Sequence, residues 1–519
     1  MDAVIAGIDA ITRETMLFAA VGFLLGGLDD LAVDVAFVAR SLYRWFRKIP
    51  DPILADFPHT GCTGRIAVLV PAWDEAAVIG AMLRATLARF DHPDWRLYAG
   101  AYPNDRATIA AIAAVACEDD RVRLTVTPAP GPTTKADCLN ALWRAAVADG
   151  AAEGRPFTAM VLHDAEDVVH PGELRVYDHL LRHADTVQVP VLPLPDRESR
   201  WISGHYIDEF AEAHGRQLPV RGALGAELPL AGVGCAISTD MLARIAERRG
   251  GLPFDETSLT EDYELGLTVR ALGGRGVFVR VRDMPGGPPV AVRAYFPARL
   301  DAAVRQKARW MTGIALAGWD RIGWQAGGGV HEHWMRMRDR RAILAIPVLA
   351  IAYVALVAWG LGGMLHGLQG SSAAPVDPVL QLVLAINLCL LVWRTAMRWT
   401  LVRHAYGRGE AWRSIPRMLV GNLVALLAAR RAVVRYAGTL RGRPVRWEKT
   451  AHHFPDVAGL SDACPPRADV RCGFWRWSPS AGSGCGSHGY GPKECRPTAG
   501  CGSCYRRGRG PPSCRRRRS

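Results

Sequence analysis

Residues 157–167 read FTAMVLHDAED, and the reading of this stretch decides the fold. Phe157 to Leu162 is an unbroken apolar run of strand length, and it stops on Asp164, Glu166 and Asp167. Stability gives no reason to end a buried strand in clustered carboxylates, because like charges repel and each loses hydration on burial. At the carboxyl end of a strand in an open α/β sheet, such a cluster lies where ligands bind. It suits a cation holding a phosphate, since Mg²⁺ takes one or two carboxylates plus phosphate oxygens. Taken alone, the run reads more readily as a solvated loop leading to an acidic helix cap at Glu173. Its surroundings reverse that.

Upstream, IAVLV (66–70) is a strand stopped by Pro71, and Asp74-Glu75 opens a helix with apolar positions through Phe90. RLYAGAY (96–102) is a second strand, ending in Pro103-Asn104-Asp105. A helix over about 107–117, the strand VRLTVT (122–127) and a helix from Lys135 come next. Downstream lie a helix from Pro171 and the strand TVQVPVL (186–192). Strands and helices alternating at this spacing predict an α/β fold, a mainly parallel sheet with helices on both faces. Its strand ends point one way, so Asp74, Glu75, Asp105 and the 164–167 cluster are expected to share a crevice.

Further on the pattern loosens. Ala231-Gly232-Val233-Gly234-Cys235 reads either as a close backbone approach to a ligand or as a plain turn. Glu261 and Asp262 begin a helix, a placement that the helix dipole alone would favour. Gln306, Arg309 and Trp310 fall on one helical face, fit for surface packing or for a pyrophosphate or sugar.

The chain has 519 residues, enough for two or three units, and a formal charge of +13. From Cys464 onward there are 12 Lys and Arg against 2 acids, so the basicity belongs mostly to the tail and does not mark a nucleic-acid partner. Five cysteines precede residue 460, scattered and without metal-ligand spacing in sequence, and read as reduced thiols. Residues 15–39 are long and apolar enough to span a bilayer, although Asp29, Asp30 and Asp34 interrupt them. Intramembrane carboxylates are expected to face protein. Arg40, Arg44, Arg47 and Lys48 then predict that the chain beyond them is cytoplasmic. Residues 342–365 carry no charge and form the clearest span, and 379–393 return. The Arg-rich helix 415–438 reads as interfacial, with a third span as the alternative. The expected divisions are 1–48 (helix and basic flank), 49–64 (linker), 65–325 (sheet domain), 326–456 (membrane and interfacial helices) and 457–519, a disordered tail.

In this order the motifs resemble the membrane-bound family 2 glycosyltransferases, the group of cellulose and hyaluronan synthases. That family carries a strand-end Asp, a DxD-type cluster, a TED motif and QxxRW. Here these are Asp105, Asp164-Ala-Glu166-Asp167, Thr260-Glu261-Asp262 and Gln306-Lys-Ala-Arg309-Trp310. VPAWDE, GPTTKADCLN, LHDAEDVVHP, LTEDYELG and VRQKARW are similar, more narrowly, to the bacteriophage N4 adsorption protein B branch, over roughly residues 15–456.

The resemblance implies a GT-A-type fold and a metal-dependent inverting transfer from a UDP-sugar, on the cytoplasmic side of a bacterial inner membrane. It places Asp74, Glu75, Asp105, Lys135 and Asp164 at the nucleotide-sugar and Asp262 as general base beside Glu261. Mg²⁺ or Mn²⁺ goes to Asp164 with Glu166 or Asp167, and the acceptor and pyrophosphate to Gly234, Cys235, Gln306, Arg309 and Trp310. The implied partners are a nucleotide-sugar donor, a polysaccharide or lipid-linked acceptor, the bilayer and an export partner protein, with no nucleic acid. Two rivals stand beside this: a catalytically idle membrane receptor or scaffold, and a single-sugar transferase acting on a lipid carrier.

Overall fold

The computed structural model describes residues 2–324, 328–442 and 453–455. After a long first helix, α1 (Asp2–Phe46), come β1 (Ile66–Pro71), α2 (Ile79–Arg89), β2 (Trp95–Ala101), α3 (Arg106–Glu118) and β3 (Val122–Val126). The chain continues through α4 (Lys135–Ala152), β4 (Ala159–Leu162), α5 (Glu173–Leu180), β5 (Thr186–Gln188), α6 (Gly204–Glu212) and α7 (Leu218–Ala223). Then come β6 (Cys235–Ser238), α8 (Thr239–Arg248), α9 (Glu261–Ala271), β7 (Gly276–Phe278), α10 (Leu300–Met311) and α11 (Gly318–Ile322). Four helices close the described chain: α12 (Val330–Arg340), α13 (Ala342–Gln369), α14 (Pro378–Tyr406) and α15 (Arg408–Leu440).

The strands form one sheet in the order β3-β2-β1-β4-β6-β5-β7. All six residues of β1 are buried, because its alternate side chains enter two different cores. Ile66, Val68 and Val70 pack with Ile79 and Met82 of α2 and Ile112 of α3, while Ala67 and Leu69 pack with Leu139 and Leu142 of α4. Helices therefore cover both faces, as expected. Parallel pairings join β1 to β2 and β4, β2 to β3, and β5 to β7. β6 departs from that direction, running antiparallel to β4 and β5.

Several boundaries differ from those the sequence predicts. Asp74-Glu75 does not open α2. Asp74 takes a left-handed conformation (φ 55°), its N–H donates to Asp105 Oδ2 at 2.6 Å, and the helix starts at Ile79. The long strand expected over 186–192 is regular only to Gln188, since Pro190 has no N–H to give a ladder. The expectations for the tail beyond residue 456 lie outside the described residues.

Among the described residues α1, α13 and α14 are long and apolar enough to cross a membrane. The 33-residue α15 has two arginines in its middle and is not among them. The acids that interrupt α1 all meet protein. Asp29 accepts from Trp334 Nε1 at 2.6 Å and pairs with Arg338 and Arg341. Asp30 meets Arg338 at 2.9 Å, Arg341 at 2.5 Å and Arg394 of α14 at 3.4 Å. Asp34 pairs with the fully buried Arg216 and accepts from Trp393 Nε1 at 2.9 Å. Arg216 lies just after α6, whose Glu212 binds Arg394 at 2.6 Å and Arg398 at 2.5 Å, and whose Asp208 binds Arg417 of α15 at 2.7 Å. The charges thus fasten the sheet domain to the apolar helices.

Candidate active site

The parallel strands β1, β2 and β4 end side by side, so the acids after them lie along one edge of the sheet. Asp105 caps α3, accepting from Thr108 N–H at 3.2 Å, and its other oxygen holds Asp74 N–H. Glu75 is buried, its N–H donating to Thr108 Oγ1 at 3.0 Å. These three groups form the β1–β2 end of the edge.

The 164–167 turn, α4, α9 and α10 enclose a cavity lined by Lys135, Asp164, Glu166, Glu261, Asp262, Gln306, Arg309 and Trp310. Lys135 starts α4 behind its Thr134 cap, and its Nζ lies 2.6 Å from Asp164 Oδ1 and 3.9 Å from Glu261 Oε1. Burial disfavours the ammonium, but Asp164, Glu261 and Asp262 outweigh it and hold its pKa above the usual lysine value. The same burial raises the carboxyls, Glu261 to about 7 and Asp262 upward as well, with Lys135 opposing both shifts. Five carboxyl groups and two cationic side chains line this cavity. Such an excess of carboxylates suits a divalent cation, which Asp164 and Glu166 could hold.

Asp167 also lines the cavity, but its carboxylate is engaged beneath the turn. Its Oδ2 accepts from Asp164 N–H at 2.9 Å and lies 3.0 Å from His163 Nδ1. The other ring nitrogen of His163 is 3.0 Å from Glu173 Oε1, to which Tyr177 donates at 2.8 Å. Burial works against a charged imidazole here, yet the two flanking carboxylates push His163 up to about 10. A buried imidazolium thus shapes the acidic turn from beneath, and Asp167 is held by it. No motif singles out His163; its only hint in the sequence is a histidine directly after an apolar strand.

Gly234 and Cys235, expected at the acceptor, lie instead in the sheet. Cys235 is fully buried opposite Leu162, and Gly234 N–H donates to Leu162 O at 3.2 Å. The neighbouring Ala231 and Val233 line the cavity. Gly232 (φ 75°) is where the backbone comes close, since a Cβ there would sit 2.6 Å from Asp262 Oδ2. Gly232→Ala should therefore reduce turnover by more than tenfold while costing only about 1–2 kcal/mol in stability for the left-handed backbone, measured by initial rates beside thermal melts. A variant as active as the parent would mean that Asp262 does not depend on this contact.

α10 carries the remaining groups. Gln306 Oε1 is buried in the cavity wall with no hydrogen-bond partner, and Trp310 packs edge-on to Tyr206 (6.0 Å) and Phe210 (6.3 Å) of α6. Phe210, Tyr295 and Phe296 complete an aromatic wall; Tyr295 and Phe296 belong to RAYFP (293–297), a stretch that also carries the family resemblance, with no role given to it by the sequence. The adjacent aromatics Tyr295-Phe296, closing the alternating stretch VAVRAYF, are its signal.

Comparison with known proteins agrees with this layout. The family described as "Glycosyltransferase like family 2" matches residues 64–313. The matched residues take in the whole sheet, β1 to β7. Bacteriophage adsorption protein B of Escherichia coli K12 and bacteriophage N4 adsorption protein B of E. coli O157:H7 are each 31% identical over 493 residues, 89% of this chain. The chain spans 64% of the length of these relatives. Among solved structures, a mannosyltransferase from Pyrobaculum calidifontis with GDP-Man and Mn²⁺ is 17% identical, covering 82% of this chain and 99% of its own (TM-score 0.49). Glucosyl-3-phosphoglycerate synthase from Mycobacterium tuberculosis with Mn²⁺ and UDP is also 17% identical, over 54% of this chain and 86% of its own (TM-score 0.32). Within the matched residues lie both the acidic turn and the Gln306–Trp310 face.

Proposed function

We propose that this protein is an inverting glycosyltransferase of a bacterial inner membrane, moving a sugar from a UDP donor to a growing polysaccharide or glycan. The supporting observation is the single cavity in which Lys135, Asp164, Glu261, Asp262, Gln306, Arg309 and Trp310 meet. In this reading Asp74, Glu75 and Asp105 take the nucleoside end along the β1–β2 edge. Asp164 and Glu166 hold Mg²⁺ or Mn²⁺, which when bound offsets charge on the diphosphate leaving group. Lys135 and Arg309 add positive charge at the same place. Asp262 accepts the proton of the acceptor hydroxyl as that oxygen attacks the anomeric carbon and the bond to the diphosphate breaks. Gln306 Oε1 offers an acceptor for a sugar hydroxyl, and Trp310 with Phe210 and Phe296 presents a flat apolar face to a pyranose. The catalytic domain lies on the cytoplasmic side, where nucleotide-sugars are made.

The test is UDP release by detergent-solubilised full-length protein across a panel of UDP-sugars, with and without Mn²⁺. Metal-dependent release with one or two donors is the expected result, and chelation should remove it. The relatives' name, adsorption protein B, favours a second reading, a membrane receptor built on an idle transferase fold. No release with any donor, from protein that still binds UDP, would support that reading.

A further inference from the structure

We propose that Cys62, His92 and Asp178 form a zinc site on the edge of the sheet opposite the catalytic acids. Cys62 precedes β1 and His92 precedes β2, so both lie at the amino ends of strands whose carboxyl ends bear Asp74, Glu75 and Asp105. Asp178, near the end of α5, joins them there. The Cys62 Sγ, an imidazole nitrogen of His92 and a carboxylate oxygen of Asp178 all fall within 4.8 Å of one another, with His92 and Asp178 buried.

The spacing argues for an ion. His92 Nε2 stands 3.4 Å from Asp178 Oδ2. A charge-assisted hydrogen bond closes to about 2.7–2.9 Å, and His163 in the same domain reaches each of its carboxylates at 3.0 Å. Two ligands of one tetrahedral zinc, with Zn–N and Zn–O near 2.0–2.2 Å, are held about 3.4 Å apart. The separation is therefore long for a charged pair and right for a shared metal.

The ligands are also oriented as zinc ligands are. Nδ1 of His92 is 3.1 Å from the Asp94 carbonyl and 3.2 Å from the Asp94 N–H, and in the tautomer with its proton on Nδ1, Nε2 aims a lone pair at Asp178. In that tautomer two acceptors face each other, an arrangement that a cation between them resolves; in the other, Asp94 N–H donates to Nδ1 and Nε2–H to Asp178. Asp178 Oδ2 accepts from Thr63 N–H at 2.8 Å and Gly64 N–H at 3.2 Å, and Oδ1 from Gly64 N–H at 3.1 Å, which fixes the carboxylate and leaves Oδ1 a lone pair for a metal. Cys62 is only half-buried, so solvent can supply a fourth ligand. The charges suit Zn²⁺, since one thiolate and one carboxylate with a neutral imidazole balance it. The thiol proton leaves to solvent on binding. The ion would pin the segment before β1 to the body of the sheet, and this inference does not depend on the transfer reaction.

The experiment uses the full-length chain with Ser at the seven cysteines from Cys464 onward, so that tail thiols cannot contribute zinc. Expressed with zinc and dialysed, it should carry one zinc per chain by elemental analysis. Cys62→Ser and His92→Gln should each lose that equivalent, while Asp164→Asn keeps it. Cobalt exchanged into the parent should give a thiolate-to-metal charge-transfer band that Cys62→Ser removes, and the parent spectrum decides even where a variant fails to fold. Absence of bound zinc together with absence of the cobalt band would overturn the site, as would zinc that disappears with Asp164→Asn. In the metal-free outcome Nε2–H simply donates to Asp178.

Discussion

Asp262→Asn should lower sugar transfer about 10²–10⁴-fold, the range for removing a positioned general base, while calorimetry finds UDP binding retained. The substitution keeps the side-chain shape and an oxygen for the Tyr263 N–H, which reaches Asp262 Oδ1 at 2.8 Å. What it removes is the capacity to take a proton. Burial raises the Asp262 carboxyl, and the Lys135 ammonium opposes that shift. In the proposed reading the donor is held by other groups, Asp164 and the β1–β2 edge, so nucleotide affinity has no reason to change with it. If UDP binding disappears with activity, Asp262 belongs to the donor site and the base must be sought at Glu261.

The second large effect concerns stability. Arg216→Met should destabilise the solubilised protein by about 3–5 kcal/mol, because it leaves Asp34 as a buried charge without its partner. Neither side chain of this pair reaches solvent to any extent. Removing both charges, Asp34→Leu with Arg216→Met, should recover most of the loss, since a buried pair replaced by apolar groups is often neutral or stabilising. Glu212 keeps Arg394 and Arg398 in the double variant, so the neighbouring pairs survive. Thermal melts of the four proteins in one detergent form the cycle. Equal melting of the parent and Arg216→Met would mean that the junction between α1 and the sheet domain is wet.

Much of the fold is readable in the sequence because its signals are local. An apolar run of strand length, an acid where it ends and a helix of regular apolar spacing are properties of consecutive residues. They mark β1, β2, β4 and the helices between them. The direction of β6 is not readable, since a strand of four residues carries no mark of parallel or antiparallel pairing. The expected start of α2 fails because Asp74 spends its backbone N–H on Asp105, 31 residues away. At the site, the motif residues Asp164, Asp262, Gln306, Arg309 and Trp310 stand out in the sequence and share one cavity. The choice between Glu166 and Asp167 needs His163 and Glu173 in place, and the aromatic wall needs α6 set against α10.

By itself the sequence determined an α/β sheet with acids at its strand ends, apolar helices long enough for a bilayer, and carboxylates within one of them that required a protein partner. Periodicity and solvation settle these, since each depends on what a residue is and on its near neighbours. Only the tertiary structure decided which partner each charge takes: Arg216 for Asp34, Lys135 for Asp164, His163 for Asp167. Coulomb attraction and desolvation depend on distance through space, and separations of 182 and 29 residues along the chain collapse to contact only after the strands have paired.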